Sequence, residues 1–143
     1  MTVFESLKKW LEEIFEDPEN GFEGVYWIDS EVLPSNVRQQ NAALYSSPND
    51  TVTELIGGQL RHIDYKTLYF MKDFKEHDIR ISNEAFFEKL RSCIVEKNAE
   101  WIMPDDGREW TSIKHTGPAY PSQKQENLDF AVYQVNLRLE YIE

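Results

Sequence analysis

The sequence predicts an α+β fold: a mostly antiparallel sheet of about four or five strands, with two main helices packed on one face. Three observations predict it. Two segments carry apolar residues at the three- and four-residue steps of a helical face, and others alternate with the two-residue period of a strand. Between them lie stretches rich in Pro, Gly, Asn and Ser, which interrupt either pattern. The 143 residues suit one domain, and 1–143 reads as a single domain without internal repeats.

The first helix has a face of Phe4, Leu7, Leu11, Ile14 and Phe15, widened by Val3 and Trp10. Thr2 is its cap, Glu5 and Lys9 form an i,i+4 pair in the favourable order, and Asp17-Pro18 ends it. Asn20-Gly21 is a turn. A short strand follows, centred on 25–28 within the aromatic and β-branched run 22–32. Residues 34–50 read as a long loop in which 37–45 is a short helix or strand, since periodicity does not choose between them. Gly57-Gly58 signals a hairpin or bulge. Residues 60–74 form a strand with apolar residues on both faces, expected to be central and covered on both sides. The second helix is expected to start at Ser82, an N-cap type, with Glu84 in its first turn. Its buried face is Phe86, Phe87, Leu90, Cys93 and Ile94, and Asn98 marks its end. Trp101 to Pro104 is an apolar patch, Asp105-Asp106-Gly107 a tight turn, 110–115 a short strand and 117–127 a second loop. The last strand alternates most clearly. Ala131, Tyr133, Val135, Leu137, Leu139 and Tyr141 form one face, and Gln134, Asn136, Arg138 and Glu140 a wet or interfacial back.

Composition removes several classes of function. The 15 Lys+Arg against 26 Asp+Glu give a net charge of −11, the opposite of the basic face that displaces counterions from nucleic acid. The same charge opposes attraction to an anionic membrane. Four Trp, seven Tyr and eight Phe supply more apolar surface than a disordered acidic tail carries. One cysteine, Cys93, excludes an intramolecular disulfide and a Cys-rich metal site. No run approaches the ~18 apolar residues of a membrane span. The start has no basic region leading into an apolar one, as a signal peptide would. The reading is a soluble protein made inside the cell.

The search for chemistry returns little. His62 and Asp64 are two apart and share a face of their strand, the nearest approach to an acid–base pair; the simpler reading is a surface pair. Neither His77 nor His115 adds a metal-ligand spacing. Asp105 and Asp106 lack the acidic series of a calcium loop. Cys93 falls on a buried helix face, unlike an exposed, electropositive reactive thiol. No phosphate loop or nucleophile elbow occurs. Asn49-Asp50-Thr51 matches a glycosylation sequon that a chain kept in the cell would not use. The aromatic stripes at helical spacing are core. What remains is a pair of loops, 34–50 and 117–127, long for so small a domain and of a length that often carries partner contacts.

The order of these features resembles the tail terminator proteins of long-tailed bacteriophages and prophages, also called minor capsid proteins. The resembling stretches are Trp10-Leu11-Glu12-Glu13-Ile14-Phe15, then Gly57-Gly58-Gln59-Leu60-Arg61-His62-Ile63-Asp64-Tyr65. Tyr69 to Phe74 leading to Phe86 to Leu90, and Ile102-Met103-Pro104-Asp105-Asp106-Gly107, follow in the same order. The strand Tyr133 to Tyr141 closes the pattern. The 34–50 loop has no counterpart in it.

The resemblance implies a non-enzymatic structural protein, without cofactor or metal, that forms a homo-oligomeric ring, commonly of six. Such a ring caps the tail tube, meets the tail tube protein and the head-completion proteins, and lets DNA pass without binding it. The resemblance places the protein in the virion's tail, made in the cytoplasm of a bacterial host. Arg61 and Arg138 are candidates for pairing across the subunit interface. Two other classes stand beside this one. A small acidic adaptor or inhibitor would use the same loops on a host partner, and an enzyme would have to use His62 and Asp64.

Overall fold

The computed structural model describes residues 2–22, 28–30, 41–46, 51–73, 77–98, 108–117, 119–123 and 130–143. The elements are α1 (Val3–Glu16), β1 (Ile28–Ser30), β2 (Asn41–Ser46), β3 (Thr51–Glu54), β4 (Leu60–Asp73), α2 (His77–Lys97), β5 (Glu109–His115), β6 (Tyr120–Gln123) and β7 (Phe130–Ile142). A 3-10 turn at Pro18–Asn20 follows α1.

Helix α1 begins on a reciprocal cap. The Glu5 amide donates to Thr2 Oγ1 at 3.1 Å, and the Thr2 amide donates to Glu5 Oε2 at 3.0 Å. Glu5 therefore turns back to the cap, and the i,i+4 ion pair of this helix is Lys8–Glu12 at 3.4 Å, not Glu5–Lys9. Leu7, Trp10, Leu11, Ile14 and Phe15 are buried. The helix stops at Asp17, whose Oδ1 accepts the Glu19 amide at 3.0 Å to open the 3-10 turn. Gly21 closes that turn at φ 67°, a left-handed conformation that favours glycine.

Helix α2 starts at His77, before the expected Ser82 cap. The packed face extends back through buried Asn83 and half-buried Ile79, so the helix gains packing by starting early. Ser82 is accommodated within it because its hydroxyl donates to the Asp78 carbonyl at 3.0 Å. Phe87, Leu90 and Ile94 are buried, and Phe86 and Cys93 pack partly exposed against the same core.

All seven strands among the described residues belong to one sheet, five strands across in the order β1-β2-β4-β7-β5. β4 and β7 pair antiparallel along their whole lengths, from Arg61 opposite Ile142 to Asp73 opposite Phe130. The other side of β4 is shared by β2 and β3, and the other side of β7 by β5 and β6. Among the described strands, only β1 and β2 run parallel. The α+β class and the mostly antiparallel sheet are as the sequence predicts. The undecided 37–45 segment contains strand β2. The 117–127 stretch read as loop contains strand β6, which occupies the edge of β7 beyond the end of β5. There Pro121, lacking an amide hydrogen, is tolerated on an outer strand with a register shift beside it. Of the expected 25–28 strand only its end, Ile28, falls in β1; 23–27, the 101–107 patch and turn, and most of the 34–50 loop lie outside the described residues.

Both helices pack on one face of the sheet. On β4 that face carries Asp64, Lys66, Leu68, Phe70 and Lys72, all buried, and on β7 it carries Ala131, Tyr133, Val135, Leu137, Leu139 and Tyr141. A chain of ring contacts joins the layers: Phe15–Phe70 at 5.6 Å, Phe70–Phe87 at 5.5 Å and Phe87–Tyr133 at 4.7 Å between centroids. Lys97 Nζ reaches Glu13 Oε2 of α1 at 3.0 Å, and Asn98 Oδ1 accepts the Ile113 amide of β5 at 2.8 Å. The expectation that β4 is covered on both sides is corrected. The Tyr65, Thr67 and Tyr69 face is half-exposed, because both helices lie opposite it and hydroxyl-tipped side chains can meet water there.

Candidate functional site

The residues singled out by chemistry do not converge. His62 and Asp64 share the helix-side face, as their spacing requires, but each has a different partner. His62 stacks on Tyr141 with ring centroids 4.7 Å apart and lies 2.8 Å from the Glu143 carboxylate. Asp64 Oδ1 accepts from Lys66 Nζ at 2.9 Å in a buried ion pair. Cys93 is half-buried on α2; burial pushes its thiol pKa up, and the Glu96 carboxylate adds to that. It is therefore a neutral thiol and a poor nucleophile. His115 is buried at the end of β5, where desolvation holds the imidazole pKa below its ordinary value. Among the described residues, no cluster of three or more His, Cys, Asp or Glu side chains is arranged to hold a metal ion. Among the same residues, no helix is long and apolar enough to cross a membrane. Asp105, Asp106 and Asn49 lie outside the described residues.

The surface with the most distinctive composition is the open face of the sheet. The strand registers assign its members, because residues paired across strands point the same way. Tyr65 lies opposite Arg138, Thr67 opposite Asn136, and Tyr69 opposite Gln134. β2 adds Tyr45 opposite Thr67, β5 adds Lys114 opposite Arg138, and β6 adds Tyr120 opposite Gln134. Four of the chain's seven tyrosines therefore share this face, and Tyr45 and Tyr69 meet edge to face at 5.1 Å. Asn136 is the hub of its polar bed. Its Oδ1 accepts from Gln134 Nε2 at 2.8 Å and from Thr67 Oγ1 at 3.3 Å, and its carbonyl accepts the Thr116 amide at 2.9 Å. An open hollow of about 450 Å³ lies over this bed, lined by Tyr65, Thr67, Thr116 and Gln134 among others.

Arg61 and Arg138, the residues expected at a subunit contact, both stand on the open face and share one acid. Arg61 Nη2 is 2.7 Å from Glu140 Oε1, and Arg138 Nη2 is 3.8 Å from Glu140 Oε2. Sequence reasoning identified both arginines but missed Lys114 and the tyrosines around them. Their neighbourhood depends on strand register, and the pairing of β5 with β7 contains a shift between Trp110 and Ser112 that no sequence pattern announces.

A second surface differs in sign. The C-terminal end of α1 and the turn after it carry Glu12, Glu13, Glu16, Asp17 and Glu19. The last turn of α1 has no basic residue, so these carboxylates crowd the negative end of the helix dipole.

Comparison with known proteins bears on the fold. No family model matches the chain, and no curated protein matches it. Among solved structures, the chain is similar to one from the virion of a native gene transfer agent particle. The TM-score is 0.60 at 11% identity, over 94% of this chain and 92% of that one. At that identity the likeness is one of fold, over nearly the whole of both chains.

Proposed function

We propose that this protein is a non-enzymatic structural component of a phage-like virion, and within it a tail terminator. In this role its copies close into a ring, six by the resemblance, that caps the tail tube. The ring meets the tail tube protein on one side and the head-completion protein on the other, and DNA passes through it unbound. The observation that carries the reading is the end-to-end likeness of fold to a virion chain. The sequence resemblance supports it from a different direction. Arg61 and Arg138, on a half-exposed sheet face rich in tyrosine, are proposed to face a neighbouring subunit, since Tyr and Arg are enriched at protein interfaces.

The test is the mass of the purified chain by light scattering over a concentration series, with negative-stain electron microscopy of the largest species. A closed ring of defined mass supports the reading. A monomer at every concentration overturns it. A hydrolytic activity lost in His62→Ala, in a chain that still folds, would overturn the non-enzymatic role.

A further inference from the structure

Two surfaces of this chain hold charge in arrangements that are unfavourable within one molecule and opposite in sign. On the open sheet face Lys114 and Arg138 are directly opposite across β5 and β7, and like charges so placed repel. The nearby Glu140 is shared with Arg61, which it contacts more closely. On the helix side of the molecule, Glu13, Glu16, Asp17 and Glu19 gather at the negative end of the α1 dipole, with no base in the last turn. Glu13 is reached by Lys97, whereas Glu16, Asp17 and Glu19 are exposed. Local charge rules met only in part within the chain point to a contact made elsewhere.

Resting on the ring reading above, we propose that the two surfaces meet. The acidic shoulder at the end of α1 in one copy docks on the open sheet face of the next, against Lys114 and Arg138 and over the tyrosines. The occupant is a second copy because the chain itself carries the complementary charge, on the opposite side of its sheet. The contact is head to tail, the kind that closes rings when the rotation per copy fits. Tyr65, Tyr69 and Tyr120 supply large amphipathic surface at low conformational cost, and the hollow over Asn136 gives the shoulder a concave seat.

The experiment uses charge reversals in the full chain. Face variants are Lys114→Glu and Arg138→Glu; Lys114 is exposed, so its replacement leaves the fold intact even if that of Arg138 does not. The shoulder variant is Glu16→Lys with Glu19→Lys. Folding is checked by circular dichroism and association by light scattering. Each variant alone is expected to weaken self-association at least about tenfold, a loss of roughly 1.4 kcal/mol. An equimolar mixture of a face variant with the shoulder variant is expected to assemble again, since the intact shoulder of one meets the intact face of the other and the two reversed surfaces attract each other in turn. Both sets of reversals in one chain are expected to restore the ring. Variants that assemble like wild type overturn this contact and leave the ring reading standing. Loss of assembly in the face variants alone means that the face meets its own copy or another partner, and overturns it too. A wild-type chain that never leaves the monomer overturns the ring and the contact together.

Discussion

Lys72 is 3% exposed beneath the helix layer, with its ammonium 3.7 Å from the centre of the Phe86 ring. Desolvation brings its pKa down from 10.5 to about 8, so at pH 7 the fold holds a buried cation. The aromatic face and its other neighbours offset only part of that penalty. A shift of this size corresponds to roughly 3 kcal/mol. Lys72→Met, which keeps the stem and removes the charge, is expected to stabilise the chain by about 1–3 kcal/mol at pH 7 in urea unfolding. The sign with pH follows from the proton count. Between pH 8 and 10.5 the unfolded chain holds a proton on Lys72 that the folded chain has released, so wild-type stability rises through that window. The advantage of Lys72→Met should shrink across it; an advantage unchanged from pH 7 to 10.5 would show that Lys72 keeps its charge in the fold. His115 behaves likewise in a lower window. Its imidazole is held neutral by burial first and by Arg91 second, so its contribution is complete above the ordinary value of 6.5 and declines as pH falls below it. Thermal melts of His115→Gln should lose part of the wild-type decline between pH 6.5 and 5.

Helix α2 and the hairpin of β3 and β4 allow the clearest tests at the level of elements. Leu90 is wholly buried under α2. Leu90→Asp should cost about 4 kcal/mol or more, because an unpaired carboxylate must be buried or the helix displaced. A melting temperature within a degree or two of wild type would mean that the face of this helix is misassigned. In the hairpin, Gly58 has φ 84° and a Cβ there would meet nothing within 4 Å. The cost of Gly58→Ala is therefore one of backbone conformation, about 1 kcal/mol, with no steric part. The helices and β7 were legible in the sequence because their signal is local: Leu7, Leu11 and Ile14, or Val135, Leu137 and Leu139, declare a face by spacing alone. The start of α2 was misplaced because Ser82 is as good a cap as it is a back-bonded helix residue, and the packing of Ile79 and Asn83 decides between them. Strand β6 was missed because Tyr120-Pro121-Ser122-Gln123 carries no alternation and forms through the free edge of β7. The candidate site was half legible for the same reason. Arg61 stands out beside the double glycine and Arg138 on the wet face of the last strand, but their company with Lys114, Glu140 and the tyrosines exists only after the strands have been put in register.

At the scale of the whole molecule, charge is expected to govern how copies of the proposed ring meet each other and how they meet DNA. The chain carries −11, and at very low salt a ring of such chains must assemble against long-range repulsion. At ~0.15 M salt the screening length is about 8 Å, which removes most of that repulsion while a close pair at the proposed contact still feels its partner; at ~1 M it is about 3 Å, and the pair is weakened as well. Self-association should therefore rise from about 0.01 to 0.15 M salt and fall again towards 1 M. A steady strengthening up to 1 M would indicate an apolar contact and count against the acidic shoulder as its seat. DNA provides the complementary measurement. Binding to duplex requires several Lys or Arg side chains free to neutralise phosphates. The open face offers Arg61, Lys114 and Arg138, two of them beside Glu140, and the shoulder offers carboxylates. In the proposed ring those surfaces would be spent on the contact between copies, and the net negative charge of each copy would repel a passing duplex. The isolated chain should show no measurable affinity for duplex DNA at physiological salt by fluorescence anisotropy. Tight binding whose logarithm falls steeply with the logarithm of salt concentration would place several cations on phosphates, and would sink both the repelling channel and the terminator role that depends on it.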